Sequence, residues 1–264
     1  MSKQDLKFVI DHFTNYQQSE WKIEDNVRTA CVAAILRWRP YTTDHIHPTT
    51  SIPTIQDFLS QPWFNDCHGE ADILYMRRAL NPKDPWSGHI AFPGGKNEAI
   101  DKSPFDTVVR ECKEETGLDL ASPAFILLST LDPIILTSLK TRNPTMRLIP
   151  HIFLQVTPVT PQITIRPSEV SEITWTSIKY LLSDPIVVYN PMEHAEAVTK
   201  RSLPESTRVA GVPIQFPSKD VVYLWGMTLR MTQKILGMEM SEHTIMSTQE
   251  INDIENKKKI TAKL

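Results

Sequence analysis

Three glutamates and one arginine occur within six residues of this chain, in the run Arg110-Glu111-Cys112-Lys113-Glu114-Glu115. In a helix, Glu111, Glu114 and Glu115 stand at positions i, i+3 and i+4 and share one face. Like charges at this spacing repel each other, so the pattern is unfavourable for a helix that serves stability alone. A divalent cation removes the repulsion. Oxygen ligands favour a hard ion, Mg²⁺ or Mn²⁺, which also binds substrate phosphates.

The neighbouring residues predict the elements that hold this acidic run. Phe92-Pro93-Gly94-Gly95 predicts the end of a strand and a loop in which the backbone approaches a ligand closely. Ser103 and Pro104 are typical of a helix N-cap followed by proline in the first turn. Gly117 is typical of the residue that ends a helix. The sequence therefore predicts a strand, a glycine loop, an acidic helix and a glycine stop.

This stretch resembles the Nudix box, Gly-x5-Glu-x7-Arg-Glu-U-x-Glu-Glu-x-Gly-U, in which U is a bulky apolar residue. The matching positions are Gly95, Arg110, Glu111, Glu114, Glu115, Gly117 and Leu118. Asp101 stands for the first glutamate of the box, eight residues instead of seven separate it from Arg110, and Cys112 fills the first apolar position. The aspartate and the longer spacing resemble the coenzyme A diphosphatase branch. An ordinary solvated acidic helix is the alternative, but it leaves the glycine loop and the arginine unexplained.

The resemblance implies an α/β protein with the Nudix fold, an α-β-α sandwich around a mixed β-sheet. Two irregular insertions are expected, at 39–70 and 184–212. The resemblance covers roughly residues 27–237, so we expect a Nudix hydrolase domain over 27–237. An N-terminal helical extension at 1–26 is expected before it, and a C-terminal helix and tail at 238–264 after it.

The resemblance also implies roles for individual residues. Four groups are expected to bind Mg²⁺ or Mn²⁺: Glu111, Glu114, Glu115 and the backbone at Gly95. Arg110 is expected to orient a glutamate through a charge-assisted hydrogen bond, and it completes the catalytic set with the same three glutamates. The implied reaction is attack of water on a phosphorus of a nucleoside diphosphate derivative. The general base stays open between a helix glutamate and Glu169, for which a structural surface carboxylate is the alternative.

The segment before the box resembles coenzyme A-type Nudix enzymes at Arg78-Ala79, Gly88 and the Phe-Pro-Gly-Gly run. The first hypothesis is therefore hydrolysis of coenzyme A or its acyl derivatives to adenosine 3′,5′-bisphosphate and a 4′-phosphopantetheine. The basic residue of that segment falls on Lys83 or on Asp84, depending on the direction of counting. NADH, ADP-ribose and an oxidised nucleoside triphosphate stay open as substrates, as does a non-catalytic nucleotide-sensing module. The expected substrate-binding residues are Arg77, Arg78, Gly94 and Gly95, although alternation places only one of the two arginines on the ligand side.

Charge and composition limit the partners and the compartment. A net charge of −3 favours neither nucleic acid nor a membrane surface, and no apolar run reaches membrane-spanning length. The three cysteines, Cys31, Cys67 and Cys112, are an odd number, which indicates a reducing compartment and a role as small apolar fillers. Ala262-Lys263-Leu264 resembles the Ser-Lys-Leu address, so we expect a peroxisomal import receptor as partner and a peroxisomal location, otherwise a cytoplasmic one. The sequence leaves the oligomeric state open.

Apolar spacing predicts the remaining elements. A first helix is expected within 1–27, and its buried positions are Leu6, Val9, Ile10 and Phe13. Strands are expected at 27–38, 72–78, 124–131 and 148–156, and another ending at Trp175, with short helices near 55–59 and 177–182. A loop is expected at 138–146 and a long helix at 221–236. Three histidines, His45, His47 and His68, suggest either a second metal site or exposed loop residues.

Overall fold

The computed structural model describes residues 2–19, 27–43, 46, 52–84, 86–137, 143–191, 206–238, 246 and 251–255. Its contacts divide the chain into two compact units. Unit 1 comprises Met1–Leu74, Phe92–Arg166 and Ser177–Lys179, and unit 2 comprises Tyr75–Ala91, Pro167–Thr176 and Tyr180–Leu264. The domain boundaries expected from the sequence stay a prediction.

Helices and strands follow each other along the chain, which confirms the predicted α/β class. The elements, in chain order, are α1 (Ser2–Thr14), β1 (Arg28–Pro40), α2 (Ile55–Leu59), α3 (Pro62–Asn65), β2 (Gly69–Arg78), β3 (Ile90–Ala91), β4 (Gly94–Lys96), α4 (Pro104–Thr116), β5 (Phe125–Thr130), β6 (Ile134–Thr137), β7 (Pro144–Gln155), β8 (Val170–Ser177), α5 (Ile178–Leu182), β9 (Val187–Tyr189), β10 (Val209–Gln215), β11 (Val221–Trp225) and α6 (Gly226–Ile235). Residues 251–255 are also helical.

Strand β1 is the centre of the mixed sheet in unit 1. It pairs in parallel with β7, from Arg28 opposite Met146 to Arg37 opposite Gln155. On its other side it pairs antiparallel with β4 and then with the first part of β2. Strands β5 and β6 pair antiparallel with β7. Four consecutive side chains of β1 are buried, which indicates that both faces of the sheet are covered: Ala33, Ala34, Ile35 and Leu36.

Helix α1 packs its apolar face into unit 1, as its spacing predicts. The four residues of that face are each at most 1% exposed: Leu6, Val9, Ile10 and Phe13. Lys3 fixes the start of the helix, because its ammonium group donates a hydrogen bond of 2.7 Å to the Asn65 carbonyl oxygen. The short helix expected near 55–59 is also confirmed, with Thr54 and Asp57 forming a capping box at its start.

Unit 2 contains the second part of β2, which pairs antiparallel with β3 so that Arg77 faces Ile90. Strand β8 also pairs with β2. A separate antiparallel sheet has the strand order β11-β10-β9. Its core is formed by Tyr189, Val209 and Trp225, with Tyr223 packed against them.

The predicted helix at 221–236 is wrong in its first half. Val221–Trp225 forms β11, which pairs antiparallel with β10 from Gly211 opposite Trp225 to Gln215 opposite Val221. A tight turn that includes Lys219 at φ 73° precedes this strand, and the helix begins only at Gly226 with φ 62°. The run of β-branched and aromatic residues suits a strand, and pairing with β10 satisfies its backbone.

Two segments expected to be irregular contain strands. Pro144–Gln155 forms β7, so the expected loop at 138–146 ends earlier, because residues 144–146 pair with β6. The insertion expected at 184–212 contains β9 and the start of β10, whereas residues 192–205 lie outside the described part. The strands expected around residues 27–38, 72–78, 124–131 and 148–156 are confirmed, as is the short helix near 177–182. The strand expected to end at Trp175 is also confirmed, and it continues to Ser177.

Candidate active site

The glycine pair of the box lies on β4, beside β1 in unit 1. Gly94 is paired with Val32, and Gly95 with Cys31. Gly94 has φ 145°, and a Cβ added to it would lie 2.1 Å from the Cys31 carbonyl oxygen. No other residue type fits this position without moving the backbone. The glycine therefore sets how closely β4 approaches β1.

The acidic run lies on α4, and both ends of this helix are capped as predicted. At the start, the Ser103 hydroxyl accepts a hydrogen bond of 3.2 Å from the Asp106 backbone N–H, and Pro104 occupies the first turn. At the end, Gly117 takes φ 77°, and its N–H donates to the Lys113 carbonyl oxygen at 2.9 Å. The helix places Glu111, Glu114 and Glu115 at i, i+3 and i+4, on the face that the sequence predicted.

Two of these glutamates are directed at the glycine pair. The Glu115 carboxylate accepts a hydrogen bond of 2.8 Å from the Gly94 backbone N–H, and Glu115 is only 4% exposed. The Glu111 carboxylate packs against the Cα of Gly95, because a Cβ added there would lie 2.5 Å from the Glu111 Cδ atom. Gly95 thus makes room for the Glu111 carboxylate, and the backbone of Gly94 binds the Glu115 carboxylate.

Arg110 connects the box helix to the strand and loop before it. Its Nε and Nη2 atoms donate to the two Asp101 carboxylate oxygens at 2.9 and 3.0 Å. Nη2 also donates to the Lys96 carbonyl oxygen at 3.0 Å and to Glu111 Oε1 at 3.2 Å. Nη1 lies 3.5 Å from Glu114 Oε1. The guanidinium therefore contacts both Glu111 and Glu114.

Asp101, which stands for the first glutamate of the box, is held from several directions. Besides Arg110, it accepts hydrogen bonds from the Glu98 backbone N–H at 2.8 Å and from the Thr107 hydroxyl at 3.0 Å. The hydrogen bonds from Arg110 lower the pKa of its carboxyl group to about 2. Asp101 is thus an anionic anchor for Arg110, and the shorter side chain still forms the bidentate pair.

The donor chemistry of this face fits a hard divalent ion, since Glu111, Glu114 and Glu115 offer only carboxylate oxygens. Within the residues that the structure describes, however, no three His, Cys, Asp or Glu side chains are grouped so as to hold a metal ion. In this arrangement Glu111 and Glu114 contact Arg110, and Glu115 contacts Gly94. The metal assignment, including the backbone at Gly95, therefore stays a prediction.

The two predicted substrate arginines belong to unit 2, where Arg77 contacts two acidic side chains and Arg78 contacts one. Arg77 Nη1 donates to Asp220 Oδ2 at 2.9 Å and lies 3.6 Å from Glu172 Oε1. Arg78 Nη2 donates to Asp84 Oδ2 at 2.6 Å. The two arginines have different acidic partners, as expected when successive side chains of a strand point to opposite faces. The role of both arginines in substrate binding stays a prediction.

The remaining candidates have simple structural surroundings. Glu169 is exposed at the start of β8 in unit 2, and its carbonyl oxygen accepts a hydrogen bond from the Ala79 N–H at 2.8 Å. Cys31 and Cys112 are buried apolar fillers as expected, and burial raises the pKa of each thiol to about 12. Cys67 is half-buried. His68 is exposed, whereas His45 and His47 lie outside the described residues.

One residue near the acidic face is absent from the sequence predictions. Arg166 Nη1 lies 3.4 Å from Glu114 Oε2, and the Arg166 backbone N–H donates to the Glu115 carbonyl oxygen at 3.1 Å. The sequence gives no signal for this contact, because 52 positions separate Arg166 from Glu114. The predicted address Ala262-Lys263-Leu264 lies outside the described residues. Of the helices within the described ranges, none is both long and apolar enough to span a membrane.

Comparisons with known proteins agree with the motif. Residues 63–193 match the family model described as NUDIX domain. A protein of Schizosaccharomyces pombe, described as uncharacterized, is 33% identical over 130 residues, which are 48% of this chain and 39% of that protein. The match thus spans well under half of the relative's length.

Solved structures with similarity to this chain include two Nudix proteins. The NUDIX domain of Shewanella oneidensis NrtR, complexed with ADP ribose, is 17% identical with a TM-score of 0.37 and covers 66% of this chain and 85% of that one. The M. smegmatis Nudix hydrolase RenU is 16% identical with a TM-score of 0.38 and covers 62% and 83%. Such low values support no inference about substrate. The family model and the box on β4 and α4 together identify residues 63–193 as a Nudix domain.

Proposed function

We propose that this protein is a divalent-cation-dependent diphosphatase that hydrolyses coenzyme A or its acyl derivatives. The products would be adenosine 3′,5′-bisphosphate and a 4′-phosphopantetheine. The observation that carries the proposal is the acidic face of α4, where Glu111 and Glu115 are directed at the glycine pair of β4. A face of this kind suits a cation and the phosphates that it attracts, and stability alone does not explain it.

The residues proposed to hold Mg²⁺ or Mn²⁺ are Glu111, Glu114, Glu115 and the backbone at Gly95. A cation bound there supplies Lewis-acid stabilisation of the phosphoryl oxygens and lowers the pKa of water. The protein itself supplies orientation. Arg110 contacts Glu111 and Glu114 and is fixed in turn by Asp101, so the carboxylates are positioned before any ligand arrives.

The substrate proposal has support in the sequence around the box. Asp101 with its longer spacing, Arg78-Ala79, Gly88 and the Phe-Pro-Gly-Gly run resemble the coenzyme A branch. In the structure, Asp101 forms a bidentate pair with Arg110 of the box helix. The proposal also predicts that Arg77→Ala or Arg78→Ala weakens the preference for coenzyme A over other nucleotides, because a contact with its phosphates is lost.

A product assay tests the proposal directly. Purified protein with Mg²⁺ or Mn²⁺ is offered coenzyme A, acetyl-coenzyme A, NADH, ADP-ribose and an oxidised guanine triphosphate in parallel, and the products are identified by mass. We expect adenosine 3′,5′-bisphosphate from the coenzyme A tubes alone. Cleavage of another compound would retain the reaction class but replace the substrate. If the protein binds Mn²⁺ and a nucleotide but cleaves none of them, it is a nucleotide-sensing module.

We also propose that the protein is imported into peroxisomes through Ala262-Lys263-Leu264. The support is the resemblance of these residues to Ser-Lys-Leu, together with the basic run Lys257-Lys258-Lys259 before them. A protein with a fluorescent tag at its N-terminus should enter peroxisomes, and the same protein without Leu264 should remain in the cytosol. Entry of the truncated protein would contradict the proposed address.

A further inference from the structure

The chain after β7 returns to the C-terminal end of α4 and packs on it. The Thr164 N–H donates to the Thr116 carbonyl oxygen at 2.8 Å, and the Arg166 N–H donates to the Glu115 carbonyl oxygen at 3.1 Å. A Cβ added to Gly117 would lie 3.0 Å from the Thr164 backbone nitrogen. The last glycine of the box therefore ends the helix and also leaves space for this segment.

The packing of this segment brings Arg166 to the acidic face. Its Nη1 atom lies 3.4 Å from Glu114 Oε2, while Arg110 Nη1 lies 3.5 Å from Glu114 Oε1. Glu114 is thus placed between two guanidinium groups. Its side chain is 42% exposed and that of Arg166 is 50% exposed, so both can exchange partners without unfolding the helix.

We propose that Arg166 is a phosphate-binding residue that is held by Glu114 until a divalent cation takes this carboxylate. This inference rests on the proposed function of the same face. Once Glu114 contributes its charge to a cation, its attraction for Arg166 falls. The guanidinium then exchanges this carboxylate for the diphosphate of the substrate, whose oxygens match its planar fork. Glu115 does not take part in this exchange of partners by Arg166, because its carboxylate is buried and accepts a hydrogen bond from Gly94.

The variants Arg166→Ala and Arg166→Lys test the proposal in two binding assays that need no turnover. The first titrates Mn²⁺ alone by electron paramagnetic resonance, and the second measures ADP affinity at saturating Mn²⁺. For Arg166→Ala we expect roughly threefold tighter Mn²⁺ binding, because a competing positive charge is lost. We expect about tenfold weaker ADP binding, because a phosphate contact is lost. Arg166→Lys keeps the charge but lacks the fork, so only its ADP affinity should fall.

Lys113→Ala is the matched control. Lys113 lies on the same helix but pairs with Asp119 at 2.8 Å, so the variant should match the unaltered protein in both assays. Weaker Mn²⁺ binding by Arg166→Ala, or unchanged affinities for both Mn²⁺ and ADP, would overturn the inference. If coenzyme A and the other nucleotides are not cleaved while both affinities change as expected, the proposed hydrolysis fails but the role of Arg166 stands. Equal melting temperatures exclude a folding defect.

Discussion

The Glu115 carboxylate of the box helix accepts a hydrogen bond of 2.8 Å from the backbone N–H of Gly94 on strand β4. This contact joins the two halves of the box directly, and Glu115 is only 4% exposed. Gly94 and the adjacent Gly95 therefore have separable roles. At Gly94 the backbone of β1 occupies the space that a Cβ would need, whereas at Gly95 the Glu111 side chain occupies it.

The variants Gly94→Ala and Gly95→Ala should separate stability from activity. Gly94→Ala places a Cβ 2.1 Å from the Cys31 carbonyl oxygen at φ 145°, so we expect the free energy of unfolding to fall by about 3 kcal/mol or more. In Gly95→Ala the three atoms nearest to the added Cβ belong to the end of the Glu111 side chain, which can move, so the melting temperature should change little. Its turnover should fall about tenfold or more, because Glu111 is displaced.

Thermal melting and turnover of coenzyme A with Mg²⁺ measure both effects. Each glycine variant serves as the control for the other. A Gly95→Ala protein that melts much earlier, or that retains full turnover, would contradict the position assigned to Glu111.

Glu114→Gln and Glu115→Gln should each lower turnover of coenzyme A by about a hundredfold or more, because each removes a charge from the proposed cation site. The fold should remain, since glutamine keeps an oxygen that can accept the Gly94 N–H in place of Glu115. Asp119→Asn is a suitable control, because Asp119 is partly exposed and pairs with Lys113 instead. Full turnover in both glutamine variants would exclude these glutamates as ligands of an essential cation.

Asp101→Asn should destabilise the protein at neutral pH by about 1–2 kcal/mol, because Arg110 loses its anionic partner. Arg110 lowers the folded-state pKa of this carboxyl group to about 2, below its ordinary value of 3.8. The stabilisation is therefore present above about pH 4 and is lost as the pH falls toward 2. Denaturant unfolding at several pH values should show the difference between the two proteins shrinking over that window. A constant difference would argue against the charged pair.

His151 should make the stability of the protein sensitive to mild acid. It is 1% exposed on β7, and burial lowers its pKa to about 4 from the ordinary value of 6.5. The unfolded chain then binds more protons between these values, so stability is complete above about pH 6.5 and falls toward pH 4 by up to about 3 kcal/mol. In His151→Gln the unfolding free energy should depend less on pH across this interval. An unchanged slope would assign the acid sensitivity to other groups, such as His89, whose pKa burial also lowers to about 4.

The parts of the site that the sequence predicts are those set by local rules. The spacing of Glu111, Glu114 and Glu115 fixes their common face, and Ser103 and Gly117 fix the ends of the helix through their own backbone conformations. The contact between Arg110 and Glu111 also follows from the box. These features depend on residues within one or two turns of each other, so the motif contains all the information that they require.

The parts that the sequence does not predict depend on distant pairing. Residues 221–225 have apolar spacing that is compatible with a helix and with a strand, and only the hydrogen bonds to β10 decide for the strand. The approach of Arg166 to Glu114 depends in the same way on backbone contacts between 164–166 and the end of α4. No local pattern in Pro161 to Pro167 indicates that contact.

The parallel pairing of β1 with β7 has a consequence for the order in which a ribosome could produce a working site. Arg28 is the partner of Met146, and Arg37 is the partner of Gln155, so one edge of the central strand lacks its neighbour until synthesis has passed the whole box. Arg166 emerges later still. A nascent chain that ends just after the box thus carries every residue of the motif, yet it lacks the strand that supports β1 and the arginine that meets Glu114. The motif is translated early, whereas the site that it serves is assembled late.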